Sequence, residues 1–181
     1  MGPIGTVVTI DLMWRWGRQL LWVGVVAFLV SLVWAWFALP AEDIPTHWSG
    51  SGPADDYQSR ALFLPLLGLF GAAVTAVLLG VARLIGRSRR LVGLNVPNRE
   101  EWARAENHAE AVRRLWSSMS GLAGLMLLLF AAIPLMSWLA VRSPDHELPG
   151  AATTLIVVFV AALTGWIVVV LRAFASPGSR P

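Results

Sequence analysis

The sequence predicts an all-α integral membrane bundle of four transmembrane helices, and three observations predict it. Of its 181 residues, 56% are hydrophobic and only 14% charged, with a mean hydropathy of +0.65. A soluble domain of this size carries about 25% charged residues. Four runs, about 19–39, 61–82, 117–141 and 151–171, contain no Asp, Glu, Lys, Arg or His. Each exceeds the ~18 apolar residues needed to cross a ~30 Å hydrocarbon layer. The absence of cysteine excludes a disulfide scaffold. The chain reads as one domain, residues 1–181, with a loop at 40–60 and another at 83–116.

The first run, Gln19 to Leu39, follows Arg15 and Arg18. It is too long and too rich in Trp for a signal-peptide core of ~7–15 residues, so a retained span is expected. The second, Ala61 to Ala82, and the third, Ser117 to Val141, contain Pro65 and Pro134, which remove backbone donors and predict bends. Gly68 with Gly71 and Gly121 with Gly124 predict places of close helix approach. Ser31, Thr75, Ser137 and Thr164 read as packing polar groups within spans.

All fourteen basic residues are arginine, and their placement predicts orientation. Arg15, Arg18, Arg83, Arg87, Arg89, Arg90, Arg99, Arg104, Arg113, Arg114, Arg172 and Arg180 fall on one side. Only Arg60 and Arg142 fall on the other, against Glu42, Asp43, Asp55, Asp56, Asp145 and Glu147. The excess of arginine marks the cytoplasmic side, so both termini and the 83–116 loop are expected inside. Trp14, Trp16, Trp116 and Trp166 fall at inner span ends, and Trp34, Trp36 and Trp138 at outer ends, where indole rings favour the headgroup zone. Spans without an ionisable group argue against proton- or ion-coupled transport.

The outer loop is dense in turn formers, among them Gly50, Gly52 and Pro53. Trp48 and Tyr57 are expected to lay it on the bilayer surface. His47, Asp55, Asp56, Glu42 and Asp43 are candidate ligands or catalytic groups, with Asp145, His146 and Glu147 on the same face. No recognised metal spacing is present, so neither a metal nor a cofactor is expected. Ser49 and Ser51 near His47 are the only candidate nucleophile pairing there, and the chain is read as a non-enzyme.

In the inner loop, Arg87, Arg89 and Arg90 read as a topology anchor at anionic headgroups. Glu100, Glu101, Glu106 and Glu110 dilute the charge too far for a nucleic-acid surface. Asn98 with Glu101 three residues on predicts a capping box. Glu100–Arg104 and Glu110–Arg114 have i,i+4 spacing. Trp102, Ala105, Ala109, Val112 and Trp116 share one helical face. These signals predict an amphipathic helix that lies along the inner surface or runs into the third span. His108 is expected to face solvent or the interface.

Two stretches resemble one family. Ile44, Pro45, Thr46, His47 and Trp48, then Gly52, Asp55, Asp56 and Tyr57, resemble the signature of a bacterial membrane domain of unknown function. Ser49, Ala54, Asp56 and Arg60 replace its usual Asn, Pro, Gly and Lys. That domain also forms the N-terminal part of SdpI-like immunity proteins. Asn95, Pro97, Asn98, Arg99, Trp102 and Glu106 resemble its second signature, with Ala105, Asn107 and His108 as departures. The resemblance implies a bacterial inner-membrane protein conferring immunity to, or sensing, secreted peptides. Its expected partners are membrane lipids and either a peptide at the outer face or a protein in the membrane. SdpI-like proteins carry a second, C-terminal membrane domain, which this chain is expected to lack. The alternative reading is an accessory subunit of a larger membrane complex.

Overall fold

Four apolar runs become four long helices in the computed structural model, which describes residues 4–49, 52–91, 93, 95–147 and 150–175, with the backbone alone over 4–14. In order they are α1 (Ile4–Ala38), α2 (Arg60–Arg87), a short α3 (Arg99–Trp102), α4 (Ala105–Val141) and α5 (Gly150–Ala173). All four long helices contain a segment long and apolar enough to cross a membrane, so this is a multi-pass membrane protein. Gly50, Ser51 and Arg180, singled out above, lie outside the described residues, and of Trp14 only the backbone is described.

The helices are longer than the charge-free runs. α1 has 35 residues and α4 has 37. At 1.5 Å per residue they reach ~52 and ~55 Å, well beyond a ~30 Å hydrocarbon layer. The amphipathic stretch therefore does not form a separate surface helix. From Ala105 on it is the first part of α4 and continues into the span, while Trp102 lies in α3. Pro65 and Pro134 lie inside helices that run on through them.

The centre is α4, which buries residues on nearly every side, from Ala111 to Ala140. Its closest neighbour is α1, and the two run parallel in one register. Gly17 lies against Ser117, Gly24 against Gly124, and Ser31 donates to the Ala131 carbonyl at 2.6 Å. A Cβ on Gly17, Gly24 or Gly124 would collide with backbone of the facing helix. The small residues recur every seven positions on both helices, the spacing of a left-handed crossing. Aromatic rings close this seam at the hairpin end, with Trp34 and Trp138 at 5.7 Å between centroids. Gly71 admits the Phe28 ring, so α2 packs across α1 and α4. Gly68 meets only Leu32, at ordinary contact distance.

Helix α5 is attached differently. Ala152 is its only buried residue among those described within the helix. It touches α4 mainly where the Trp166 ring fills the slot left by Gly121 and its Nε1–H donates to the Ser118 carbonyl at 3.1 Å. Thr164 sits on the exposed face.

The loop between α1 and α2 is not the coil that an all-α reading expects. β1 (Ile44–His47) and β2 (Asp56–Gln58) pair antiparallel, Ile44 with Gln58, Pro45 with Tyr57 and His47 with Asp56. The register shifts between Pro45 and His47. Proline brings no N–H to the ladder, which accounts for an irregularity there. Ile44 is fully buried and roots the hairpin in the same core as Phe28, Phe63 and Phe130.

Candidate functional site

At the hairpin end, two loops distant in sequence form one surface. The Trp48 indole donates to the His146 carbonyl at 2.9 Å, and the Ala54 N–H donates to the same oxygen at 3.3 Å. Pro53 bridges to Glu147, and the Tyr57 ring packs on the His146 ring at 5.8 Å. Trp48 and Tyr57 therefore pin the hairpin to the α4–α5 loop. The reason is supply of partners: the exposed backbone of the short loop offers acceptors that lipid chains do not. Beneath them, the Ser137 hydroxyl donates to the Pro45 carbonyl at 3.0 Å, holding the hairpin to α4.

The hairpin is also cross-linked by its own side chains. His47 Nδ1 donates to Asp55 Oδ1 at 2.6 Å, and the Asp55 N–H donates to the His47 carbonyl at 3.1 Å. The Ser49 hydroxyl first, and the His47 imidazole second, hold the Asp55 carboxyl below its ordinary range. Asp56 accepts from the Tyr57 N–H, and the Tyr57 hydroxyl donates to the Ala54 carbonyl at 3.2 Å. Gly52 stands clear, with nothing near the position of a Cβ. The His47 side chain is 65% exposed, so the pair is a surface one and modest in energy. Among the described residues, no group of three His, Asp or Glu is arranged to hold a metal ion.

Glu42, Asp43, Asp55, Asp56, Asp145 and Glu147 are all exposed at this end. Its two arginines lie over indole rings. The Arg60 guanidinium sits 5.2 Å from the Trp36 ring centre and donates to the Leu39 carbonyl at 2.9 Å. Arg142 lies 3.6 Å over Trp138. Neither makes an ion pair among the described residues.

At the opposite end, three side chains capture the last residue of α5 and the two that follow it. Arg114 donates to the Ala173 carbonyl, Trp102 Nε1 to Phe174 at 3.0 Å, and Asn98 Nδ2 to Ala175 at 2.7 Å. The final carbonyls of a helix have no partner within it and carry its negative dipole end. Here three consecutive carbonyls are satisfied from outside, one of them by a cation. Trp102 is fully buried, edge-on to Phe174 at 5.5 Å and beneath the Arg114 guanidinium at 4.6 Å. Glu110 holds Arg114 in turn, Oε1 accepting from Nε at 2.8 Å, and also accepts from Arg113.

This latch corrects several readings of the inner loop. Asn98 does precede α3, but its side chain makes no cap. Its backbone is left-handed (φ 55), a conformation asparagine tolerates, and that turns the amide toward α5. Arg104 has extended backbone before α4, so the 98–116 stretch breaks there. The break removes the helical spacing between Glu100 and Arg104, which form no ion pair among the described residues, whereas Glu110–Arg114 forms as spaced. Ala105 and Ala109 are exposed; the buried stripe is Ala111, Arg114, Leu115 and Ser118, with Val112 and Trp116 at its edge. His108 does not simply face out: its Nε2 bonds to the Ser88 carbonyl at 3.0 Å and closes the loop. Asn95, Pro97, Arg99 and Glu106 are exposed and take no part in the latch.

Sequence reasoning missed the roles of four residues. Gly17 and Gly24 were signalled by heptad spacing rather than by G-x-x-x-G. Arg114 was signalled as an arginine one turn from the apolar run, although its partner on α5 was not. His146 contributes mainly a backbone carbonyl, which no side-chain pattern announces.

The folded parts thus define a polytopic helical membrane protein with a structured hairpin on one side and a helix-end latch on the other. Residues 23–69 match a family described as a domain of unknown function, DUF1648. The match covers most of the apolar part of α1, the whole hairpin and the beginning of α2. The latch lies outside it. No curated protein and no solved structure is significantly similar to the chain.

Proposed function

We propose that this chain is a non-enzymatic protein of a bacterial inner membrane, with both termini cytoplasmic, that acts as SdpI-like immunity or sensing proteins do. In this reading the hairpin face points outward and meets a secreted cationic or amphipathic peptide. One observation carries it. The two outer loops are docked into a single surface on which six carboxylates are exposed, while both arginines lie against tryptophan rings. Such a surface attracts cations over about a Debye length, ~8 Å at physiological salt. The concentration of arginines at the latch end supports the orientation. The role as a non-enzyme fits the site chemistry, since the Ser49 hydroxyl serves Asp55 rather than activating beside His47.

The test is a deletion strain challenged with secreted cationic peptides. The deletion is expected to sensitise cells, the native chain to restore protection, and a variant with Asp43, Asp55 and Asp145 changed to Asn to restore less. Unchanged sensitivity of the deletion strain would end the immunity reading.

A second reading, an accessory subunit of a larger membrane complex, is favoured by α5, whose apolar length is almost wholly uncovered. Gentle extraction and sizing separate the two: the accessory reading requires co-migration with much larger subunits.

A further inference from the structure

Between α1 and α2, toward the hairpin end, lies an open apolar groove of about 270 Å³ lined by Leu32, Val33, Trp36, Leu64 and Pro65. Leu64 is buried and forms its floor, while Val33, Trp36 and Pro65 are exposed and form its walls. The lining is almost entirely apolar, and it belongs to helices that cross the membrane. Its volume is just below the ~300–1,000 Å³ of pockets that enclose whole ligands, so it fits part of a chain rather than a compact molecule.

A cation stands one helical turn above it. Arg60 is four residues before Leu64 on α2, and Trp36 is three and four residues after Val33 and Leu32 on α1, so each pair shares a face. The Arg60 guanidinium rests on the Trp36 ring, the upper wall of the groove. One of its nitrogens donates to the Leu39 carbonyl, and no carboxylate among the described residues pairs with it. A phosphate beside it would gain charge-assisted hydrogen bonds.

We infer that this groove and Arg60 form a binding site for one anionic phospholipid, with an acyl chain against Leu32, Val33, Leu64 and Pro65 and the phosphate on Arg60. The site is apolar below and cationic above, in the order in which a lipid presents tail and headgroup. It is open sideways to the bilayer, the direction from which a lipid enters. The inference stands whichever way the protein faces. All six residues fall within 23–69, the stretch that matches the uncharacterised family.

The test titrates delipidated full-length protein with dioleoylphosphatidylglycerol or dioleoylphosphatidylcholine and counts bound lipids by native mass spectrometry. The native chain is expected to hold one phosphatidylglycerol about tenfold more tightly than phosphatidylcholine, the size of one charge-assisted hydrogen-bonded contact. Arg60→Gln removes that preference and Arg60→Lys keeps most of it. Val33→Phe, at an exposed wall position, obstructs the groove and lowers occupancy of both lipids. Arg142→Gln removes the other indole-stacked arginine of that end, which sits at the end of α4 and does not line this groove, and leaves binding unchanged. Equal binding of the two lipids by the native chain would overturn the inference. So would equal losses from Arg60→Gln and Arg142→Gln, full occupancy in Val33→Phe, or a photoreactive group at position 33 capturing a protein rather than lipid in cells.

Discussion

Helices α1 and α5 both pack on α4, yet they are held by opposite means. Along α1 the contact is continuous: Gly17, Gly24 and Ser31 meet Ser117, Gly124 and Ala131 at seven-residue intervals, with backbone close to backbone. Along α5 there is one ring in one slot, Trp166 over Gly121, and then a cluster of polar donors at the very end. Lipid chains are as apolar as leucine, so burying apolar side chains gives helices little reason to associate. What remains is close van der Waals packing, which small residues permit, and hydrogen bonding. The protein uses the first for α1 and the second for α5. The comparison teaches that greasiness alone says where a helix goes, not what fastens it.

The seam breaks most severely. Gly24→Leu or Gly124→Leu places a side chain where facing backbone stands, and unfolding in detergent should ease by ~3 kcal/mol or more, at or beyond the upper end for overpacking. A variant within ~0.5 kcal/mol of the native chain would mean that the helices are not in contact there.

The latch comes next. Arg114 is 4% exposed and bound to Glu110, Ala173 and the Trp102 face. Arg114→Gln takes from the partly buried Glu110 carboxylate one of its two arginine partners and leaves the Ala173 carbonyl without its donor, a loss of ~1–3 kcal/mol. Proteolysis or cross-linking should then find the end of α5 released while α1 stays on α4. Trp102→Phe keeps the ring packing and deletes one donor, for ~1 kcal/mol. Ser31→Ala removes a single bond inside the seam, and ~0.6 kcal/mol is expected from measured pairs in membrane helices. Equal effects from the Trp102 and Ser31 variants would blur the distinction between fastening by packing and fastening by bonds.

Much of this was legible in the residues. Charge-free runs place the four spans because an ionisable group in hydrocarbon is costly. Glu110 and Arg114 were readable as a pair from spacing alone. The hairpin was not, because Pro45 at a strand position and three-residue β2 carry almost no alternation to detect. Nor was the latch. It joins Asn98 and Trp102 to carbonyls more than seventy residues away, and backbone acceptors have no sequence signature. The seven-residue recurrence of Gly17, Gly24 and Ser31 was present in the sequence, but four-residue spacing is the more familiar sign of close helix packing.

The smallest effect concerns pH at the hairpin. The Asp55 carboxyl is held below its ordinary range by Ser49 and His47, so its folded form prefers the charge more than the unfolded form does. Its contribution is present above the usual carboxylate pKa of ~3.9 and is lost as pH falls through the lower folded value. Hairpin amide protection should therefore persist through mildly acidic pH and decline only in strong acid, and Asp55→Asn should remove that decline.

Hydrogen exchange on the Arg114→Gln protein in a lipid nanodisc tests the central contrast most directly. The account predicts faster exchange confined to the last turns of α5, around residues 165–175, with amides along the Gly17–Ser31 seam protected as in the native chain. Unchanged exchange at the end of α5, or an equal rise along α1, would contradict it.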